Sequence, residues 1–411
     1  MNRKTTVIIL SFLFLLGTAG GSNRHPAERW WKGNTHTHSL WSDGDAAPEL
    51  VADWYRSHGY HFLALTDHDI LSEGEKWCPI SDSPGSELGP GRVVDLRERF
   101  GEGWIVERAT DGGREMRLKT LAELRERFEA PGEFLFIQGE EISDSFGSKP
   151  LHFNALNLVA HIPTQGGDSV QETLRRNVAA VVEQADRLNR PIVVHINHPN
   201  WIWAITPEEL AAERGTHLFE LYNGSTGCNN LGDETHPSME GVWDIALTLR
   251  LAELGLGLMY GLAVDDTHNY FSFGPDYSNP GRGWIVVRAR RLTLEAVLDA
   301  VRTGDFYSST GVDLKDFRHN RTRYVVEIDE EAGVTYTTQF IGTRLVDGRP
   351  GEVGEVLHET AENPAAYRFR GDELYVRARV ISSRMQSNYA AGEEAPEYAW
   401  LQPVIPGRRR R

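Results

Sequence analysis

Short apolar runs alternate with amphipathic stretches along most of the chain. Runs with strand character are HFLALT (61–66), EFLFIQG (133–139), HFNALNL (152–158), PIVVHI (191–196), HLFELYN (217–223) and LGLMYGLAV (256–264). Between them, apolar residues recur with helical spacing. In 46–58 they are Leu50, Val51, Trp54 and Tyr55, with Pro48 suited to a first turn. Residues 170–188, 239–254 and 293–301 read the same way. This alternation predicts an α/β fold with a mainly parallel sheet, and six or seven units favour a closed barrel. Residues 70–130 break the rhythm with Gly, Pro, Ser and charge, and read as an insertion with its own helix near 120–128. Beyond Gly311 the runs RYVVEID, TYTTQFIGT, ELYVRARVISS and YAWLQPVI are short, β-prone and divided by Gly, Asp and Pro. They predict a small all-β C-terminal domain over 312–411.

Composition adds a location. The chain has 411 residues, 40% hydrophobic and 25% charged, enough for a full globular core. Residues 1–21, MNRKTTVIILSFLFLLGTAGG, place Arg3 and Lys4 before an apolar run from Val7 to Leu16 and then small residues. That is the layout of a secretory signal peptide, cleaved near Gly20 or Gly21. The run is short for a bilayer span, which needs roughly 20 residues. The expectation is a periplasmic or secreted protein, without stable membrane insertion once the leader is removed, whose barrel occupies 22–311. Losing Arg3 and Lys4 takes the formal net charge from -16 to -18. Such acidity excludes a general affinity for nucleic acid. Arg408 to Arg411 form a basic tail, read as solvated. Cys78 and Cys228 are the only cysteines; they could pair in an oxidising compartment, and neither has a nucleophile's context.

Candidate chemistry is densest in GNTHTHSLWSDG (33–44). On a strand, the period of two points His36 and His38 to one face. Further candidates end apolar runs: Asp67, His68 and Asp69 in FLALTDHD, Glu140 and Glu141 in FLFIQGEEIS, His195 and His198 in PIVVHINHPN, and Asp265, Asp266 and His268 in GLAVDDTH. His152 instead begins its run. Active sites of barrels are built at the carboxyl ends of strands. Taken singly, these residues are ordinary structural groups, with Asp43 a turn residue and Asp67 a helix cap. Together, imidazoles and carboxylates suit Zn, Mn or Fe and not the oxygen-only environment of Ca. Their number exceeds what one tetrahedral ion needs. No G-x-S-x-G elbow or P-loop supports a serine hydrolase or a nucleotide-driven mechanism.

The series resembles the PHP superfamily of metal-dependent hydrolases, which includes histidinol phosphatases and the polymerase-associated exonuclease domain. The matching motifs are HTH at His36 and His38, SDG at Asp43, TDH at His68, GEEIS at Glu141, then His152, HP at His198, and DTH at Asp266 and His268. Order and spacing agree from about Trp31 to Gly311. KGNTHTHSLWSDG, FYSSTG and AWLQPV are similar to the carbaryl-hydrolase-like branch. The resemblance implies a distorted seven-stranded (β/α) barrel, (β/α)7, holding two or three divalent metal ions. It implies His36, His38, Glu141 and Asp266 around the first, Glu141 bridging to a second with His152 and His198, and Asp43, His68 and His268 around a third. The residues alone leave His195 competing with His198, and Glu140 with Glu141. The family's ligand before proline and its G-x-E spacing favour His198 and Glu141. Asp67 and Asp265 are then expected to orient histidines. The catalytic candidates are Glu141, Asp266 and His195.

The implied reaction is hydrolysis of a small-molecule ester by a metal-bridging hydroxide. A phosphoester comes first, and a carbamate, ester or amide is the alternative. A non-catalytic binding scaffold is disfavoured, because no expected ligand position is apolar. Lys149 and Arg282 are the basic residues close to the motifs and available to clamp a phosphate. Trp201 and Trp203 read either as an apolar wall or as loop packing. His319 and His358 lie in no paired motif, so the C-terminal region is expected to be structural.

Overall fold

The computed structural model describes residues 28–83 and 86–407. The leader and Arg408–Arg411 lie outside the described residues. The chain opens with β1 (Arg29–Asn34), α1 (Pro48–Ser57) and β2 (Phe62–Leu65). A side unit follows: β3 (Trp77–Ile80), α2 (Pro90–Phe100), β4 (Glu107–Thr110), β5 (Gly113–Arg117) and α3 (Leu121–Phe128). The main rhythm resumes with β6 (Leu135–Phe146), β7 (Lys149–Leu156), α4 (Val170–Leu188), β8 (Val193–Ile196), α5 (Pro207–Ala212) and β9 (Leu218–Asn223). It continues through α6 (Met239–Ala252), β10 (Tyr260–Val264), β11 (Trp284–Ala289), α7 (Leu294–Thr303) and β12 (Phe306–Ser309). Strands alone follow: β13 (Leu314–His319), β14 (Arg323–Ile328), β15 (Tyr336–Val346), β16 (Arg349–Pro350), β17 (Glu355–Thr360), β18 (Ala365–Arg368), β19 (Glu373–Met385) and β20 (Pro396–Val404). No described helix is long and apolar enough to cross a membrane.

The architecture is mixed α/β. One 14-stranded sheet runs β10-β9-β8-β7-β6-β2-β1-β11-β12-β20-β19-β15-β16, with β17 on β15, beside two three-stranded antiparallel sheets. The expected mainly parallel sheet holds only in part. β1–β2, β2–β6, β8–β9 and β9–β10 are parallel, whereas β6–β7, β7–β8, β1–β11 and β11–β12 are antiparallel. At β6–β7 the cause is connection length. β7 turns straight back from β6 through Gly147 at φ 62°, too tightly for a crossover helix. The free edge of β10 meets β12 and β20 through side chains. Ser308 Oγ accepts from Ala263 N at 2.9 Å and donates to Gly261 O at 2.8 Å, while Gln402 pairs with both Gly261 backbone groups.

Local signals account for the helix bounds. α4 matches 170–188, with Ser169 capping its start and Asn189 ending it in the left-handed region. α3 begins after Thr120, which forms a capping box with Glu123. The side unit also contains α2, absent from the sequence reading, which buries Val93, Leu96 and Phe100. Beyond Gly311 no helix occurs among the described residues, and β20 pairs directly with β12.

Candidate metal centre

The HTH segment leaves β1 as extended backbone held between two neighbouring chain segments. Thr66 N donates to Thr37 O at 3.0 Å, Asp266 N to His36 O at 3.1 Å, and His38 N to Thr267 O at 3.0 Å. Thr37 therefore points outward, its hydroxyl donating to Ala64 O at 2.6 Å, while His36 and His38 face inward together. His36 Nε2 lies 3.1 Å from Glu141 Oε2 and 3.2 Å from Asp266 Oδ1, and His38 Nε2 lies 3.2 and 3.0 Å from the same atoms. Gly44 turns the chain back onto this segment. A Cβ there would stand 2.7 Å from the backbone of His38 and Ser39, so only glycine allows the approach. The turn sets Asp43 Oδ1 3.5 Å from His38 Nδ1, and Oδ2 within 3.5 Å of both His68 and His268.

Glu141 sits in the middle of β6, not past a strand end as the apolar run suggested, because pairing with β7 continues to Phe146. The pleat then separates the two adjacent acids. Glu140 points away, accepting from Ile162 N at 2.7 Å and lying 2.7 Å from His161 Nδ1. Glu141 points into the cluster and splits its two oxygens. Oε2 faces His36, His38 and His68 at 3.1 to 3.2 Å, whereas Oε1 faces His152 at 3.0 Å, His198 at 3.4 Å and the Asn197 amide at 2.9 Å. Three overlapping donor groups result: His36, His38, Glu141 and Asp266; His38, Asp43, His68 and His268; and His68, Glu141 and His152. His198 and Asp266 both adopt left-handed backbone, at φ 25° and 50°. Such strain costs on the order of 1–3 kcal/mol per residue and concentrates where side-chain aim matters.

The orienting groups differ from those expected. Asp67 binds Ser39 N and the Ser39 and Ser42 hydroxyls, and Asp265 binds the amides of Gly281, Arg282 and Gly283. Both anchor the loops that carry ligands and, among the described residues, hydrogen-bond to no imidazole. The acid that orients a histidine is Glu220 on β9, whose Oε1 lies 2.7 Å from His36 Nδ1 and whose Oε2 accepts from His198 N at 2.8 Å. Asn223 ties Glu220 to Asp266, at 2.8 and 3.0 Å. Glu220 had a legible signal, a lone carboxylate inside the apolar run HLFELYN. His195 lies behind the ligands, fully buried, its Nδ1 3.6 Å from Glu220 and its pKa pushed down to about 4 by burial against the pull of Glu220.

Burial opposes charge throughout the cluster; it wins at His152, whose pKa it lowers despite Glu141, whereas pairing prevails at His36 and Glu141. Asp266, Glu141 and Glu220 hold His36 well above the usual imidazole range despite desolvation. Against the same penalty, His36, His68 and His152 keep Glu141 well below the usual carboxylate range. Carboxylates that draw protons this strongly onto imidazoles would draw a divalent cation in their place. The donor chemistry, nitrogen and oxygen mixed, suits Zn, Mn or Fe. His198 turns its Nε2 toward Glu141 Oε1, the oxygen that His152 also meets.

The donors open on a cavity of about 290 Å³, lined also by Trp201, Ser225, Thr226, Cys228 and Ser278. The Trp201 ring lies 5.6 Å from that of His152 and 5.0 Å from that of His198. Trp203 stacks instead on His236 at 4.1 Å. Neither basic candidate lines the cavity. Lys149 begins β7, at the far end of the hairpin, and the Arg282 guanidinium is spent on Gly224 O, Gly274 O and Asn388 Oδ1. Both cysteines are free, Cys228 in the cavity wall and Cys78 on β3.

No family model matches the chain. No curated protein matches it either. Among solved structures, it is similar to a two-domain protein from Bacteroides vulgatus described as containing a predicted PHP-like metal-dependent phosphoesterase. The identity is 15% and the TM-score 0.40, over 91% of this chain and 96% of that one.

Proposed function

We propose that this chain is a metal-dependent hydrolase of phosphoesters, built on a distorted (β/α)7 barrel over 22–311. The observation that carries the reading is Glu141, whose two oxygens face two different sets of histidines. His36, His38, Glu141 and Asp266 would hold one divalent ion, Glu141, His152 and His198 a second, and Asp43, His68 and His268 a third. Bound ions would lower the pKa of a water and offset charge on the phosphoryl oxygens. The chain supplies the rest. Glu220 fixes which imidazole nitrogen of His36 faces the centre, and Asn197 and Asn223 hold Glu141 and Asp266 in place. Asp43, half-exposed at the cavity, is the cavity carboxylate most open to solvent, and His268 and His68 keep it ionised well below the usual carboxylate range.

The absence of a basic residue from the described cavity lining keeps carbamate or carboxyl-ester hydrolysis as the second reading. Metal analysis of purified protein, then assay after chelation and after return of Zn, Mn or Fe, tests the main proposal. Activity on 4-nitrophenyl phosphoesters should vanish and return with the metal; protein without stoichiometric transition metal would overturn it. We also infer export, from Arg3, Lys4 and the run Val7–Leu16. N-terminal sequencing should find a start close to Ser22, and an intact Met1 on membrane-bound protein would refute this.

A further inference from the structure

A second cavity, of about 260 Å³, lies where the strands beyond Gly311 meet the upstream elements, and it shares no lining residue with the cavity over the donors. Its walls come from β9, the start of α6, β19 and β20, with the segments beside them. Three aromatic rings stand in those walls. The Trp400 ring packs 5.8 Å from that of Tyr222 and 5.2 Å from that of Tyr398, and Leu221, Leu231 and Met239 add aliphatic surface.

One polar group in this wall is not satisfied by its neighbours. Glu393 lines the cavity, is 8% exposed, and has no hydrogen-bond partner for Oε2 among the described residues. Burial pushes its carboxyl up from 4.5 to about 7, and Glu394 adds to the push. Only neutral groups pull it back, the Asn230 side chain and the amides of Leu231 and Asn230. A buried acceptor left unmade costs the desolvation of that group, and more when the group is charged. The other charges nearby balance. Arg377 pairs with Asp244 and Glu240, while Arg379 gives its terminal nitrogens to Glu240 and Gln339. Two acids stand against two bases there, and Glu393 adds a third acid. Arg379 Nε is unpartnered among the described residues and offers an anion one donor, so an anion is the competing occupant.

We infer that this cavity binds a small organic ammonium ion with an apolar body, its N–H groups donating to Glu393 Oε2 and its skeleton lying against Tyr222, Tyr398 and Trp400. An ammonium supplies the donor that Glu393 lacks and restores charge balance to the wall. Aromatic faces attract a cation through the ring quadrupole, most strongly where water is excluded. An alcohol meets the hydrogen bond without the charge, and a carboxylate faces repulsion from Glu240 and Glu393. The inference is independent of the metal centre and of the reaction proposed there.

The test is calorimetric titration of full-length, metal-loaded protein. The 2-phenylethylammonium ion should bind saturably, at least about tenfold tighter than 2-phenylethanol or 3-phenylpropanoate. Glu393→Gln keeps the shape and removes the charge, and should weaken the ammonium at least tenfold, to the level of the alcohol. Asn230 bonds both backbone groups of Asn223, at 3.0 and 2.9 Å, so metal content is measured in the same variant and should hold at its natural level. Leu231→Lys is the milder second variant, because Leu231 is 49% exposed. Its tethered ammonium should cut the affinity for added amine by a similar factor. Asp43→Asn should leave that affinity unchanged, since Asp43 belongs to the other cavity. Absence of saturable binding by the natural protein overturns the inference, as does tighter binding of 3-phenylpropanoate. Full affinity in Glu393→Gln or Leu231→Lys overturns it as well. Loss of binding in Asp43→Asn would put the amine over the metal donors and sink the second site. None of these results bears on the phosphoesterase reading, which stands or falls on metal content and turnover.

Discussion

Adjacent glutamates on β6 show how much one pleat decides. Glu141 and Glu140 are both buried, but alternation aims the first at five histidines and the second at His161 and a backbone amide. Glu141→Gln should lose bound metal and at least about a hundredfold in turnover, since an amide is a poor bridge between cations. Glu140→Gln should keep its metal and lose stability instead, read by thermal melting. Reversed outcomes would mean that the wrong carboxylate is assigned. Glu220→Gln probes orientation. The amide presents a donor where His36 Nδ1–H and His198 N–H both need an acceptor. Metal affinity should fall about 10- to 100-fold with the fold intact, the usual cost of losing an orienting partner. Unchanged affinity would reduce Glu220 to a packing residue.

At the scale of elements, what the sequence made legible was whatever local chemistry dictates. α4 was readable to the residue because Ser169 and Asn189 mark its ends, and HTH because a two-residue period needs no distant partner to set its facing. Strand direction was not readable. Whether β7 runs parallel or antiparallel depends on how Gly147 turns the chain, and the extension of β6 past Gly139 depends on β7 being there to pair with it. Glu220 escaped because its partner His36 lies 184 residues away. The side unit hides a titrating group of the same kind. Glu49 on α1 is buried beneath it, one oxygen accepting from Trp104 Nε1 at 3.2 Å and the other without a partner among the described residues. Burial, only partly offset by Lys119 and Trp104, lifts its pKa from 4.5 to about 7. The folded state therefore binds the proton more tightly than the unfolded one. Its contribution is fully present below pH 4.5 and is lost as pH rises through about 7, on the order of 3 kcal/mol in all. Urea unfolding between pH 4 and 8 should show the natural protein losing stability relative to Glu49→Gln across that window. A constant difference between the two would refute the assignment.

On the scale of the whole molecule, the sequence change at Gly311 marks a change of element type without a break in the sheet. β20 returns to pair with β12, setting Tyr307, Ser308 and Ser309 against Leu401, Trp400 and Ala399. One hydrophobic cluster contains Trp243 and Tyr222 together with Tyr375 and Trp400, so the C-terminal strands complete a core begun far upstream. The same seam is pinned by buried charge. Arg377 on β19 makes a two-pronged pair with Asp244 on α6 at 2.8 and 2.6 Å, Tyr375 OH donates to Asp244 at 2.7 Å, and Glu240 binds Arg377 and Arg379. Truncation after Gly311 should consequently yield insoluble or molten protein, even though every candidate metal ligand remains in the sequence. The seam can be tested without deleting it. Arg377→Met strands the buried Asp244 carboxylate and should cost about 3–5 kcal/mol of unfolding free energy, the usual penalty for breaking one side of a buried pair. Adding Asp244→Leu removes the orphaned charge, so the double variant should recover most of that loss, because paired apolar replacements of buried ions are often neutral. Metal content should stay at its natural level in the double variant, since neither residue touches the donors. A single variant as stable as the natural protein would show that the seam is held by packing alone, and a soluble, metal-replete truncation would show that the chain up to Gly311 needs no help from the strands beyond it.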